Sequence, residues 1–278
     1  MGQKINPNIF RLGINKTWKT EFFEKKNKEL PLYTFKDLEI KAYIERFLET
    51  HGIILHDYKQ HYSNSTLNLY VSYFVTSEFM VPKIKSTNLL LINKEGNKKK
   101  VDTSFKTNTI LNSVFKVLNL FIPNKSNIIM HLNCINKDLN FLKVTQKKNF
   151  ISLQRFRNTT FLKEGIELLF HVVCNKNSAN LLARFIAFQI QKIKRHKFFL
   201  SFLKKSLTAM MNSSVSQIKG VKIIVKGRLN GVPRAKHKIL TIGDVPVQKI
   251  SEKVNYAQTA VHNSNGSYGI KVWVVEKT

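Results

Sequence analysis

The stretch from Leu168 to Gly243 contains neither Asp nor Glu, although Lys and Arg recur along all of it. Solvated protein surfaces normally mix charges of both signs. An unneutralised run of this length repels itself unless a polyanion supplies the opposite charge. We therefore expect this stretch to fold as part of a lasting assembly with a polyanion. A basic face that is merely soluble is the alternative.

The whole chain is strongly basic, because 46 Lys and Arg against 17 Asp and Glu leave a net charge of +29. Nucleic acid, anionic membrane and acidic protein are the polyanions that such a charge attracts, and nucleic acid is the partner that we favour. The hydrophobic fraction of 43%, with 20 Phe and 8 Tyr, predicts a folded chain. Its 278 residues suit two domains better than one.

Hydrophobic spacing predicts a tail and then an α+β domain in the first half of the chain. Residues 1–33 are basic and lack a clear period, which predicts an extended tail that lies on a partner. Residues 34–136 show the periods of an α+β domain. Its predicted elements are a helix from Thr34 that stops at Gly52, a hairpin of strands Ile53–Tyr58 and Leu67–Phe74, a helix that ends at Pro123, and a strand Ile128–Ile135.

The second half predicts a linker and then a second α+β domain. Residues 137–177, rich in Lys, Asn and Phe in their first part, are interpreted as a linker or insertion. Residues 178–278 predict two helices packed on a small mixed sheet. The predicted helices include Leu181–Ile190 and Phe199–Met210, and the strands are Val221–Val225, Val254–Val261 and Ile270–Val275. The predicted fold class is therefore α+β.

Two elements of the second half place apolar and basic side chains on opposite faces. At 100° per residue, Lys197, Lys204 and Lys205 lie opposite a helical stripe that includes Phe199 and Leu203. Strand alternation likewise separates Val221, Ile223 and Val225 from Lys222, Lys226 and Arg228. We expect the apolar faces to share one core and the cations to meet phosphates.

Three blocks of the sequence resemble the family of small-subunit ribosomal protein 3. They are Met1–Pro7 with Arg11–Ile14, then Gly220–Gly231 (GVKIIVKGRLNG), and finally Tyr268–Val274. The blocks occur in the family's order. The resemblance covers residues 1–14 and most of 178–278, while residues 15–177 match only in the order of their elements.

The resemblance implies a structural protein, not an enzyme, in the head of the small ribosomal subunit, near the channel where messenger RNA enters. In that family a KH domain precedes a second α+β domain. The implied partners are small-subunit rRNA, mRNA near that channel, and neighbouring head proteins, namely small-subunit proteins 10 and 14. The resemblance implies no cofactor, no metal and no membrane.

The chain departs from this family in its predicted KH domain. A KH domain clamps the nucleic-acid backbone with a Gly-x-x-Gly loop, but the expected region, Asn93–Asn97, contains only Gly96. The Gly-x-x-Gly at Gly266–Gly269 precedes the last strand and is interpreted as a hairpin turn. We therefore expect a degenerate KH-like domain over residues 34–136.

A second departure concerns the basic helix that the family places near messenger RNA. Lys204 and Lys205 stand where two of its basic residues are expected, but Leu200 and Ser201 stand at the two upstream positions. The mRNA contact has therefore either moved to Arg195 and Lys197 or weakened.

The sequence contains no pattern typical of a catalytic or metal site. A nucleophile elbow, a phosphate-binding loop and a His-Glu-x-x-His helix are all missing, and Cys134 and Cys174 lack the paired spacing of a zinc site. His196 and His237 lie in basic runs and are predicted to extend an RNA surface. His131 and His171 lie in apolar stretches that favour core histidines.

Residue usage also bears on the compartment. Heavy use of Lys, Asn, Ile and Phe is typical of an AT-rich coding sequence and favours a mitochondrially encoded protein; a plastid or a bacterial cytoplasm is the alternative. The N-terminus lacks the features of a signal or transit peptide, so we expect synthesis inside the organelle. No apolar run approaches the roughly 18–20 residues that cross a bilayer.

The leading hypothesis is a structural RNA-binding component of the small subunit. A free RNA-processing factor or nuclease, and a peripheral membrane protein, are the alternatives. The residues predicted to bind RNA are Lys4, Arg11, Lys192, Lys194, Arg195, Lys197, Lys204, Lys205, Lys222, Lys226, Arg228, Arg234, Lys236 and Lys238.

Overall fold

A computed structural model describes residues 5–26, 28–63, 66–76, 103–122, 127–136, 151–213 and 216–277. The described residues form two α+β units, each with helices on one face of a four-stranded sheet. The α+β fold class predicted from the sequence is confirmed. We call residues 20–136 the first unit and residues 151–277 the second unit.

The first unit is a mixed sheet covered by two helices. Its strands are β1 (Thr20–Glu21), β2 (Ile53–Tyr62), β3 (Thr66–Val75) and β4 (Asn127–Cys134), in the order β1-β2-β3-β4. Strands β2 and β3 form the predicted antiparallel hairpin, while β1 and β4 each pair in parallel with their neighbours. Helices α2 (Leu30–Thr50) and α3 (Thr103–Phe121) pack on one face of this sheet.

The second unit is an antiparallel sheet covered by three helices. The helices are α4 (Leu162–Cys174), α5 (Ala179–Lys192) and α6 (His196–Met211), and the strands are β5 (Ile218–Gly227), β6 (Lys236–Gly243), β7 (Val254–Asn263) and β8 (Gly266–Glu276). The strand order is β6-β5-β8-β7, and every pair is antiparallel. Short connections join the antiparallel neighbours β5 with β6 and β7 with β8, whereas residues 244–253 run from the β6 edge to the β7 edge. The fully buried core includes Phe185, Phe199, Phe202, Val221 and Ile270.

The two units contact each other along the open face of the first sheet. Ile54 and Phe74 belong to the hydrophobic core of the second unit, and the Phe74 ring meets the His171 ring edge-on with centroids 5.6 Å apart. Arg184 of α5 forms ion pairs with Glu45 and Glu49 of α2. A shared apolar patch and a cluster of ion pairs therefore join the units.

The predicted linker over residues 137–177 is a folded part of the second unit wherever the structure describes it. A 3-10 turn covers Ile151–Phe156, and α4 places Leu168, Leu169 and Val172 fully in the core. The linker interpretation is therefore wrong for residues 151–177, while 137–150 lie outside the described residues. The polar residues of α4 lie in its first half, where Lys163 and Glu167 are exposed, and the apolar run from Leu168 to Val173, broken only by the buried His171, extends around the rest of the helix.

The N-terminal segment, residues 5–16, also differs from the predicted extended tail. A short helix α1 (Pro7–Phe10) begins after Asn6, whose side chain accepts a hydrogen bond from the Asn8 amide at 3.0 Å. Asn8 then exchanges two hydrogen bonds with the backbone of Tyr256 on β7. The segment therefore lies on the second unit of its own chain, and α2 begins at Leu30 rather than Thr34.

Candidate nucleic-acid interface

Helix α6 presents the predicted amphipathic division of side chains. Phe199, Leu203 and Leu207 are fully buried, whereas Lys197, Lys204 and Lys205 are exposed on the opposite face. The helix packs beside α4 and the edge strand β6. Its cations are therefore held at fixed spacing on a rigid element.

The junction before α6 adds further positive charge. Lys194 and Arg195 are exposed between α5 and α6. Lys192, also exposed, places its ammonium 3.8 Å from the centroid of the Phe188 ring, which is a cation–π contact. The predicted basic run at this junction thus faces solvent.

Strands β5 and β6 divide their cations between the two sides of the sheet. On β5 the predicted alternation is confirmed, because Val221, Ile223 and Val225 are fully buried and Lys226 is exposed. Lys222 is half-buried, with its ammonium 5.7 Å from the centroid of the Trp273 ring on β8. Lys222 pairs with Trp273 on β8, and both side chains point to the open side of the sheet.

Strand β6 was not recognised from the sequence, although Ile239–Ile242 carries the β-branched residues typical of strands. Its register pairs Lys238 with Val225 and Lys236 with Gly227, which places both lysines on the helix side of the sheet. The cations of α6 and β6 therefore lie on one side and those of β5 on the other. A ligand that meets both sets must wrap around the β6 edge.

Most of these cations lack an internal counter-charge. Within the described residues, Lys197, Lys204, Lys205 and Lys226 form no ion pair with a carboxylate. Lys219 differs, because Glu252 binds its ammonium at 2.6 Å and that hydrogen bond raises the pKa of Lys219. We call the exposed cations, together with the half-buried Lys222, the cationic surface. It consists of Lys192, Lys194, Arg195, Lys197, Lys204, Lys205, Lys222, Lys226, Arg228, Arg234, Lys236 and Lys238.

The loop after β5 positions Arg228 through a pair of reciprocal hydrogen bonds. The Asn230 side-chain oxygen accepts from the His196 amide at 2.9 Å, and the Asn230 amide donates to His196 Nδ1 at 3.1 Å. Asn230 adopts the left-handed conformation, with φ of 59°. The Tyr268 hydroxyl also donates to the Arg228 carbonyl at 2.9 Å. The start of α6 and the Arg228 loop are thereby fixed to each other.

His196 is therefore a structural residue, and the prediction that it extends an RNA surface is wrong. Its side chain is buried, and burial lowers its pKa, although the carbonyls of Ile190 and Ile193 act in the opposite direction. Because a backbone amide can only donate, Nδ1 must be unprotonated to accept from Asn230. The ring is thus held neutral. The sequence shows only that His196 stands among cations, not which way its ring points.

Arg11 is likewise internal and does not belong to the cationic surface. It is fully buried, and its guanidinium donates to the carbonyls of Pro7, Val247, Lys249 and Glu252. Burial lowers its pKa. With its donors bound to backbone oxygens, Arg11 holds the N-terminal segment on the second unit. Lys4 lies outside the described residues.

The other histidine and glycine predictions have mixed outcomes. His171 is buried, as predicted, whereas His131 is exposed on β4, so its interpretation as a core residue is wrong. The turn before β8 is confirmed, since Asn263 pairs with Gly266 at the end of the β7–β8 hairpin. The expected site of a Gly-x-x-Gly loop around Gly96 lies outside the described residues.

The sequence prediction also missed one cation of the open sheet face. Lys271 pairs with Ile224 across β5 and β8 and lies on the same side as Trp273 and Lys222. The alternation of Ile270, Val272 and Val274 with Lys271 is the sequence signal that could have identified Lys271.

An α+β unit with unpaired cations around one sheet edge has the surface of a nucleic-acid-binding protein. Comparison with known proteins shows which family of proteins the second unit resembles. A sequence model of the family described as "Ribosomal protein S3, C-terminal domain" matches residues 190–274, which span the end of α5, helix α6 and nearly all of the second sheet. The family match therefore falls on the elements that carry the cationic surface.

Relatives of the whole chain carry ribosomal names. "Small ribosomal subunit protein uS3" of Elm witches'-broom phytoplasma is 26% identical over 272 residues, 98% of this chain and 82% of the relative. "Small ribosomal subunit protein uS3c" of Guillardia theta is 25% identical over 278 residues, covering 99% and 94%. The uS3 protein of Fusobacterium nucleatum is 23% identical over 276 residues, covering 99% and 93%. Together these matches show that the chain resembles the ribosomal protein S3 family, in its second unit by the family model and over nearly its whole length by the relatives.

Proposed function

We propose that this chain is a structural constituent of the small ribosomal subunit that binds small-subunit rRNA through its second unit. The observation that carries the proposal is the cationic surface, whose lysines on α6 lack carboxylate partners within the described residues. Phosphates of rRNA would supply the missing counter-charge, and release of their counterions would favour a lasting complex.

Two RNA ligands would share the cationic surface. Lys204, Lys205 and Lys197 lie on the exposed face of α6, the helix that the family resemblance places near the channel where messenger RNA enters. Leu200 is buried, so it offers no contact there. We assign the mRNA contact to this face of α6, and the β6 edge with the Arg228 loop to rRNA.

The first unit would serve as a degenerate KH-like domain in the subunit head. Its neighbours would include small-subunit proteins 10 and 14. This assignment rests on the order of its elements, a helix, a hairpin, a helix and a strand, and on the ribosomal names of relatives aligned over nearly the whole chain. We retain residues 34–136 and 178–278 as the two domains, and add residues 151–177 to the second.

The particle would be a mitochondrial ribosome. The support is residue usage, rich in Lys, Asn, Ile and Phe, as an AT-rich organellar gene imposes. The relatives are bacterial and plastid forms. In the described part of the chain, no helix has the length and apolar character needed to span a bilayer.

Sedimentation of organelle lysate through a density gradient tests the assignment. The protein should migrate with small-subunit RNA at moderate salt. A protein that stays at the top of the gradient would contradict the proposal and favour a free RNA-processing factor.

Charge reversal at Arg228 tests the rRNA contact. Arg228 is exposed, and its Nε donates to the Val232 carbonyl at 3.1 Å, which leaves its terminal nitrogens for a phosphate. We expect Arg228→Glu to weaken binding to small-subunit RNA and to reduce the salt slope by about 0.7–0.9 per lost phosphate contact. Arg46→Glu, at an exposed arginine of α2, is the matched control. An unchanged slope in Arg228→Glu would remove Arg228 from the interface.

A further inference from the structure

The open face of the first sheet carries two stacked rings away from the cationic surface. Tyr70 on β3 and His131 on β4 are register partners, and their ring centroids lie 4.7 Å apart with planes 9° from parallel. Alternation puts both rings on the face opposite α2 and α3, because their neighbours Leu69 and Val71 point into that core. Tyr70 is 46% exposed, and His131, on the outermost described strand, is exposed as well.

A cavity of about 360 Å³ adjoins this ring pair. Tyr70 and His131 line one part of it, Lys59 and Asn133 contribute polar groups, and Ser72 lies between them. Ligand pockets start at about this size, roughly 300 Å³. The site is therefore large enough for one flat ring and its polar edge.

The charges around the cavity favour an anionic ligand. Lys19 Nζ lies 2.9 Å from Asp57 Oδ1 and neutralises the carboxylate beside the cavity. The Ser72 hydroxyl is occupied by the backbone of Asp57. In the described part of the chain, the side chains of Lys59 and Asn133 form no hydrogen bond. The site thus offers one free cation and one free amide, with no unpaired carboxylate.

We propose that this face binds an unpaired nucleotide of single-stranded RNA. Its base extends the Tyr70–His131 stack, its phosphate meets the Lys59 ammonium, and its polar edge meets the Asn133 amide. Open sheet faces with aromatic side chains bind bases in this way, because every base has a π-face that can stack. Ile129 is the exposed aliphatic neighbour on β4, and a protein interface would need a larger apolar centre.

This site is independent of the cationic surface. It lies on another sheet, and it recognises a base by stacking, whereas the cationic surface meets phosphates. Failure of base binding at the first sheet would therefore not contradict phosphate binding at the cationic surface, and the reverse also holds. The experiment must measure RNA binding at the two sites separately.

Photochemical cross-linking of the full chain provides that separate reading. The probe is a single-stranded oligoribonucleotide that contains 5-iodouridine, and mass spectrometry locates the adducts after irradiation. We expect adducts on Tyr70 or His131. They should persist in Lys204→Glu/Lys205→Glu, normalised to bound RNA, even where that variant weakens total binding.

Substitutions distinguish stacking from mere proximity. Tyr70→Phe retains the ring and should retain the adducts on β3 and β4, whereas Tyr70→Leu with His131→Leu, made in the Lys204→Glu/Lys205→Glu chain, should weaken its affinity for the oligoribonucleotide at least about fivefold, the lower bound for loss of one stacked base. Phe23→Leu removes a ring that is 79% exposed elsewhere and should change nothing. Circular dichroism checks that each variant folds.

Two results would overturn the proposal. One is a set of adducts confined to the second unit in the wild-type chain. The other is an unchanged affinity for the oligoribonucleotide when Tyr70→Leu and His131→Leu are added to the folded Lys204→Glu/Lys205→Glu chain.

Discussion

The two units share a fold class but differ in how they balance their charges. In the first unit, acids are paired with cations from outside it, since Asp57 binds Lys19 and both Glu45 and Glu49 bind Arg184. In the second unit, the cations of α6 have no carboxylate partner within the described residues. The same architecture therefore carries paired acids in one unit and unpaired cations in the other.

The two sheets also use their open faces differently. The first sheet buries Ile54 and Phe74 against the second unit and leaves Tyr70 and His131 exposed beside them. The second sheet carries Lys222, half-buried against Trp273, on its open side. One unit thus offers a place for a base, and the other offers charges for phosphates.

The largest effect is expected at Gly227, the last residue of β5. Gly227 has φ of +146°, and a Cβ placed there would lie 2.5 Å from the Tyr268 ring. Gly227→Ala should lower the free energy of unfolding by about 2–4 kcal/mol, from backbone strain and overpacking together. Urea denaturation measures this. Gly13→Ala is the matched control, since Gly13 has φ of +84° with open space around it. Equal losses in both variants would mean that the Tyr268 contact does not matter.

A smaller effect is expected where Asn230 joins the loop to α6. Asn230→Ala removes the acceptor for the His196 amide and leaves alanine in a left-handed conformation, so we expect a loss of about 1–3 kcal/mol. Asn230→Asp retains an acceptor oxygen and should lose much less. The melting temperature and the RNA affinity should both fall in Asn230→Ala. If the melting temperature fell equally in Asn230→Asp, the hydrogen bond from the His196 amide would not be the cause of the loss.

The smallest effect concerns pH. Because burial lowers the pKa of His196 in the folded chain, the unfolded chain binds its proton first as the pH falls below about 6.5. The stability that neutral His196 contributes is therefore complete above that pH and is lost as the pH falls toward the lowered pKa. Urea titrations at pH 7.5 and 5.5 should show a smaller difference in His196→Gln than in wild type. His237→Gln, at an exposed ring on β6, should keep the wild-type difference.

Sequence patterns predicted the elements that have one buried and one solvated face. The α6 stripe from Phe199 to Met210 was readable because Lys204 and Lys205 interrupt it at helical spacing. The β2–β3 hairpin was readable from two strand-like runs around a polar turn. Helix α4 was missed although Lys163 and Glu167 form an exposed stripe in its first half, because that stripe is short and the turns from Leu168 onward are buried on nearly all sides.

The roles of individual basic residues were harder to predict. Arg11 and Lys197 look alike in sequence, yet Arg11 is fully buried among backbone carbonyls and Lys197 is exposed. The difference arises from the loop at residues 247–252, which lies far from Arg11 along the chain. His196 was expected at the surface and is buried, whereas His131 was expected in the core and is exposed. The reason is that local apolarity does not indicate which side of a strand or helix packs. Long-range contacts decide such cases.

The salt dependence of RNA binding tests the central difference between the units most directly. Affinity of the full chain for a single-stranded RNA, the kind of ligand assigned to the exposed face of α6, would be measured across salt concentrations for Lys204→Glu/Lys205→Glu and for Lys25→Glu/Lys26→Glu, an exposed lysine pair before α2. The α6 variant should reduce the log–log slope by about 1.4, for two lost phosphate contacts, and weaken binding. The other variant should keep the wild-type slope. Equal reductions in both variants, or a reduction only in the Lys25 and Lys26 variant, would contradict the account.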